Sequence, residues 1–174
     1  MAVREILLLG NPILRERSAQ VKRVKSSEIR RIVGDLRDTL AAFQARRGFG
    51  RGIAAPQIGQ TVRVIYLDFE EIRGPLINPV ITSRSRRTFR LWDDCFSFPD
   101  LLVKVERNQE VTVTYVDEHA KRKNIKAAGG LSELLQHEID HLNGILALDR
   151  AIDSRHIILR SEYDKLVTKE PLRL

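Results

Sequence analysis

A single cysteine among 174 residues excludes an internal disulfide framework and fits a reducing compartment, so the cytoplasm is the expected location. Long apolar runs are missing as well. The opening "MAVREILLLGNP" has an apolar run of four residues before a Gly-Asn-Pro turn, too short for a signal-peptide core or a membrane span. No zinc-knuckle spacing, aromatic RNA-binding strand or Gly-rich phosphate loop accompanies the net charge of +7. The basic clusters Arg84, Arg86, Arg87, Arg90 and Lys121, Arg122, Lys123, Lys126 are therefore read first as solvated surface, with a general attraction to polyanions second. Internal repeats and linkers are lacking too, which with this length predicts one domain over 1–174.

What is present is a soluble, globular composition, 43% apolar and 30% charged. Residues 26–47 place Ile29, Ile32, Val33, Leu36, Leu40 and Phe43 on one helical stripe, with Ser26 or Ser27 to cap it and Gly48 to end it. The Gly-rich stretch 48–59, "GFGRGIAAPQIG", reads as a shaped loop. Strand-like segments follow at 62–68, 76–83, 87–92 and 102–117, the last expected to fold back as a hairpin near Asn108. A glycine-bracketed helix comes next, "GGLSELLQHEIDHLNG", and then residues 153–174 as a C-terminal helix capped by Asp153 with a short tail around Pro171. Helix, strands, helix, helix is an α+β order.

The stretch "HEIDH" carries the chemistry. Residues four apart share a helix face, so His137 and His141 can hold one metal ion between their imidazoles, with Glu138 beside it as a base for water. Such a cation lowers the pKa of water toward neutrality. A catalytic site needs a third protein ligand. His119, in a polar turn, and His156, in the last helix, are candidates, and Cys95 in "LWDDCFSFPD" is the more attractive one, although a lone cysteine is often just apolar filler.

Three separated segments together resemble the peptide deformylase family. "GRGIAAPQ" (50–57) is similar to that family's Gly-x-Gly-x-Ala-Ala-Pro-Gln motif, "DDCFS" (93–97) stands where it has Glu-Gly-Cys-Leu-Ser, and "QHEIDHLNG" (136–144) is nearly its third motif. "GNPILR", "INP" at 77–79 and "ER" at 106–107 are smaller likenesses in the same order. The resemblance implies small antiparallel or mixed β-sheets packed around a central helix carrying HExxH. It implies Cys95, His137 and His141 as ligands of one divalent metal, Fe2+ natively with Zn2+, Ni2+ or Co2+ as substitutes. Glu138 would activate water and then protonate the leaving amine, while Gln57 and the backbone N–H of Phe96 would donate to the oxyanion. Gly50 and Gly52 would let the backbone lie against an extended N-formylated peptide bound like an added strand. Removal of the formyl group from the N-terminal methionine of new chains is the implied activity, with a ribosome or nascent-chain contact through the basic surface.

The departures concern the substrate pocket. The family's Glu-Gly pair is Asp93-Asp94 here and its Leu is Phe96, so Asp94 brings a charged side chain where glycine leaves space. Arg51 and Glu133 replace apolar pocket residues. A lone buried charge costs several kcal/mol, so Arg51 is expected to pair with Glu133 or to reach Asp94, unless both side chains turn to solvent. Two rivals to the default activity follow: hydrolysis of a more polar N-formyl or N-acyl substrate, and a relative that keeps the metal without turnover. Asp140 is read either as a carboxylate behind the ligands or as a surface charge.

Overall fold

The computed structural model describes residues 2–70 and 72–169, so the expected tail around Pro171 lies outside them. Helix α1 runs over Ser27–Arg47. Ser26 accepts the Ile29 N–H at 3.3 Å, Glu28 stands in the first turn, Arg46 and Arg47 in the last, and Gly48 at φ 77° stops the helix. Its stripe of Ile29, Ile32, Leu36, Leu40 and Phe43 is buried. The expectation for this segment holds almost to the residue.

The stretch expected as a loop at 48–59 is more ordered than that. It contains strand β1 (Gly52–Ala54) and a 3-10 turn (Ala55–Ile58). Strands β2 (Val64–Phe69) and β3 (Ile72–Arg84) follow, then β4 (Thr88–Asp94), β5 (Leu101–Asn108), β6 (Glu110–Val116) and β7 (Arg122–Ala128). A five-stranded sheet has the order β1-β2-β3-β6-β7, and a three-stranded sheet has β4-β5-β8, where β8 is Ile157–Leu159. All named pairings are antiparallel.

The expected hairpin at 102–117 does not form. β5 and β6 belong to different sheets, and the chain crosses between them at Asn108–Gln109. The Asn108 backbone groups that a hairpin would use are taken by a helix: Asn108 N–H donates to Gln136 Oε1 at 3.0 Å, and its carbonyl accepts from Ser132 Oγ at 2.9 Å and Gln136 Nε2 at 3.0 Å. That helix, α2 (Gly129–Leu142), is buried on every side from Ser132 to Leu142. It lies against strands of both sheets. The HExxH segment is thus the central element of an α+β fold.

Two further differences stand out. Strand β7 was hidden in the basic run around Lys121–Lys126, because its side chains are mostly solvated and only Ile125 and Ala127 turn inward. The expected C-terminal helix starts later: Asp153 caps a 3-10 turn (Ser154–His156), β8 pairs with Leu101–Val103, and helix α3 spans Arg160–Lys169. The β-branched "HIIL" favours pairing with β5 over continuing a helix.

Candidate metal centre and substrate cleft

Two elements deliver the candidate ligands. The one-turn spacing on α2 brings Nε2 of His137 and Nε2 of His141 to 3.2 Å, and the end of β4 brings Cys95 Sγ to 3.3 Å from His141 Nε2. All three side chains are buried. For tetrahedral coordination with Zn–N of about 2.0–2.1 Å and Zn–S of about 2.3 Å, ligand atoms sit roughly 3.3–3.6 Å apart. One sulfur and two imidazole nitrogens at this spacing fit a single divalent cation. His119 lies exposed in the β6–β7 turn and His156 pairs with Asp153 at 2.8 Å, so neither belongs to this group.

The outer face of His137 is fixed. Its Nδ1 lies 2.9 Å from Asp93 Oδ1, an arrangement that leaves Nε2 facing the other two ligands. Burial works against charge on the His137 imidazole, but Asp93 outweighs it and raises the pKa well above the usual value. Burial likewise opposes the Asp93 charge, yet His137 and Arg107 hold its pKa down to about 2. Arg107, itself buried, bonds Asp93 at 3.1 Å and also Asp140, which Arg150 reaches at 2.9 Å from outside. Asp140 is therefore part of a buried ion network behind the ligands, not a free surface charge. His141 is the contrasting imidazole: burial and the neighbouring His137 push its pKa well below the usual value, keeping it neutral.

Glu138 stands on the cleft side of α2. Burial raises its pKa to about 7, with Glu133 and Asp93 adding and His137 and Arg51 opposing, and its Oε2 is buried without a hydrogen-bond partner. An unpartnered carboxylate oxygen beside three soft and borderline ligands is the expected company of a bound cation and water. Gln57 is aimed at the same point. Its Oε1 accepts the Ala54 N–H at 2.9 Å, which turns Nε2 to within 3.5 Å of Cys95 Sγ and 3.4 Å of Ser97 Oγ. The Phe96 ring is packed away from the ligands, stacked on Phe43 at 3.8 Å.

A cleft of about 310 Å³ opens over these groups. Gly50, Arg51, Gly52 and Gln57 form one wall, Asp94, Cys95 and Phe96 a second, and Glu133, His137 and Glu138 a third. Every proposed site residue except His141, which sits behind its neighbours, lines it. β1 and β4 are the edge strands of their sheets, so both flank the cleft with backbone that no other strand pairs. The two glycines are sterically required: a Cβ on Gly50 would lie 2.6 Å from Phe96, and one on Gly52 2.9 Å from Glu138 Oε1.

Arg51 pairs with Glu133 at 2.6 Å and not with Asp94. Burial raises the Glu133 pKa, with the Asp93 charge adding and Arg51 opposing. Asp94 is drawn instead to Arg160 at the start of α3, at 2.8 Å. Arg160 also lies over the Phe49 ring at 4.5 Å and donates to the Pro99 carbonyl at 2.9 Å. Sequence reasoning missed Arg160, and it gave Asp93 and Arg107 no role. The "ER" at 106–107 was the one available signal for Arg107.

A buried HExxH helix with a cysteine brought in from a strand end defines a metal-dependent hydrolase centre. The comparisons carry this to a family. The model of the family "Polypeptide deformylase" matches residues 3–156. A peptide deformylase of Pseudothermotoga lettingae is 36% identical over 165 residues, 95% of this chain and 92% of the relative, and one of Treponema pallidum is 39% identical over 152 residues, 87% and 90%. Among solved structures, the peptide deformylase of Ehrlichia chaffeensis in complex with actinonin superposes with a TM-score of 0.81 at 31% identity, covering 99% of this chain and 100% of that one. That of Thermotoga maritima gives 0.81 at 28%, covering 88% and 100%. The chain belongs to the polypeptide deformylase family. It is a metallohydrolase of the peptide deformylase type. Among the described residues no helix is long and apolar enough to cross a membrane.

Proposed function

We propose that Cys95, His137 and His141 hold one divalent cation, natively Fe2+ with Zn2+, Ni2+ or Co2+ able to replace it, and that the cleft removes the formyl group from N-terminal methionine of newly made polypeptides. The observation that carries this is His141 Nε2 lying 3.2 Å from His137 Nε2 and 3.3 Å from Cys95 Sγ, with the buried Glu138 on the same helix. A cation bound there supplies Lewis acidity toward water and the formyl oxygen. The chain's own residues do the rest. Glu138 takes a proton from water as its oxygen bonds the formyl carbon, and then delivers it to the leaving nitrogen as the C–N bond breaks, giving formate and a free amine. Gln57 Nε2 and the Phe96 N–H donate to the oxygen that becomes negative between these steps. The peptide lies extended between the free edges of β1 and β4, with Gly50 and Gly52 keeping that path open and Arg51, Asp94 and Glu133 lining it.

The same reading takes the chain as one cytoplasmic domain, its basic face turned to the ribosome or the nascent chain. Asp94 is held at the rim by Arg160, which leaves the cleft open and favours an active enzyme over one that only binds.

The test is metal analysis of anaerobically purified protein together with turnover of a formyl-Met peptide. Glu138→Ala is expected to keep the metal and lose turnover, and Cys95→Ser to lose metal affinity and shift metal preference toward harder ions. If Cys95→Ser left metal content and rate untouched, the ligand set would be wrong.

A further inference from the structure

The residue whose nitrogen carries the formyl group is one bond from the reacting carbon, so its side chain must begin inside the 310 Å³ cleft. The wall it meets there is charged, yet balanced. Asp93 faces Arg107, Asp94 faces Arg160, and Glu133 faces Arg51, each acid with an arginine from a different element. A charged guest would shed its water and find these three acids and their arginines already paired, with Glu138 the lining acid that has no arginine. A purely apolar guest would cover a half-used guanidinium. Nη2 of Arg51 is bonded to Glu133, while Nε and Nη1 meet no protein acceptor among the described residues. Its Cζ lies 5.5 Å from the centre of the Phe69 ring, and the Glu133 bond ties the guanidinium to the start of α2. Arg51, part-exposed and bonded to Glu133, thus brings N–H donors to a lining that also holds Leu134.

We infer that, given the deformylase reading above, this pocket is built for a neutral, hydrogen-bond-accepting side chain of methionine's length, and that it processes chains whose first methionine is oxidised to the sulfoxide about as well as unoxidised ones. A thioether sulfur is a weak acceptor and leaves the Arg51 donors to water, which reaches this side chain at 39% exposure. The sulfoxide oxygen is a strong acceptor on the same scaffold, polar where the thioether is not. In a pocket of Leu and Ile the same oxygen would be buried without a partner and would carry the penalty of an unmade hydrogen bond. Arg51 and Glu133 are thus specificity-determining residues, and the substrate class they select is formyl-methionyl and formyl-methionine-sulfoxide peptides alike.

The experiment compares kcat/KM for formyl-Met, formyl-Met-sulfoxide, formyl-norleucyl and formyl-Glu peptides of otherwise one sequence, with wild type and Arg51→Ile/Glu133→Leu. Alongside it, calorimetry reads the Kd of the deformylated Met and Met-sulfoxide peptides on the same metal-loaded proteins. Wild type is expected to treat sulfoxide and thioether within about threefold of each other and to disfavour the Glu peptide; the double variant should lower the sulfoxide-to-thioether ratio by about tenfold or more, in rate and in Kd. Should the double variant fail to fold, Arg51→Met/Glu133→Met removes the donors with less change of volume, and the same ratio is read. A wild type that prefers the thioether by more than about tenfold, or a ratio that the substitutions do not move, overturns the inference. Absence of turnover on every formyl peptide would instead overturn the deformylase reading, and the Kd ratio would still decide this one.

Discussion

Asp93 accepts from His137 Nδ1 on one carboxylate oxygen at 2.9 Å and from Arg107 on the other at 3.1 Å. The His137 imidazole, a candidate ligand, is thereby oriented by a residue that is in turn oriented by a buried guanidinium. Asn in place of Asp93 could keep a single acceptor oxygen and would have to turn its NH2 toward either the imidazole N–H or the guanidinium. Groups in this position typically matter by about 10–100-fold in metal affinity. Asp93→Asn is expected to weaken metal binding to that extent in chelator competition, while Asp93→Glu retains most of it. Unchanged affinity in Asp93→Asn would show that the α2 backbone alone sets the ring.

Gly52 is where the edge strand and the base meet. Its added methyl would stand 2.9 Å from Glu138 Oε1 and 3.0 Å from Leu67 Cδ2, closer than such contacts allow. Leu67 is fully buried and has no room to retreat, so the carboxylate must move. Misplacing a reacting group by about 1 Å can cost about 100-fold in rate. Gly52→Ala should lose kcat on that scale while metal content and the unfolding midpoint stay near wild type. Loss of metal together with activity would mean that β1 itself had shifted.

The candidate ligands and the candidate base were legible as a group because their signal is local: two histidines and a glutamate within one helical turn, and a cysteine in a short motif. The Arg51–Glu133 pair was legible for a different reason. Both replace apolar pocket residues, and a buried charge needs its opposite. What the chain does not display locally is partner choice across the fold. β5 and β6 read as one alternating run, since period two is the same in a hairpin and in a crossover, and only the capture of Asn108 by Gln136 decides between them. Strand β7 turns only Ile125 and Ala127 inward and is otherwise paired by backbone at a sheet edge. Arg160 stands 66 residues from Asp94 along the chain, and nothing near either residue announces the other.

Arg107 is the charge on which the layer behind the metal centre depends. Its side chain is 3% exposed and serves both Asp93 and Asp140. Arg107→Met fills the space but leaves Asp93 buried beside His137 with no guanidinium, whereas Asp140 retains Arg150. Breaking a buried pair by removing one partner costs about 3–5 kcal/mol. Urea unfolding of the metal-free protein should lose that amount. A loss below about 1 kcal/mol would mean that Asp93 takes up a proton or that water replaces the arginine with little penalty.

The last prediction concerns acid. Asp35 on α1 is almost fully buried and ties the N-terminal segment to the helix, accepting the Ala2 N–H at 2.8 Å and Arg4 Nε at 2.9 Å, with Arg31 at 3.1 Å. Burial alone would raise its pKa, but the hydrogen bonds from Arg4 and Ala2 and the Arg4 charge outweigh it, and the net shift is downward. A carboxyl depressed in the folded state binds protons less readily there than in the unfolded chain. Its stabilisation is therefore complete above the unfolded value of about 3.9 and fades as pH falls through the lower folded value. Urea midpoints of wild type and Asp35→Asn should differ by a constant amount from neutral pH down to about pH 5, with wild type the more stable, and should converge as the pH drops below about 4. A gap that stayed the same size at pH 3 would mean that shape, not charge, makes Asp35 the anchor of the N-terminal segment.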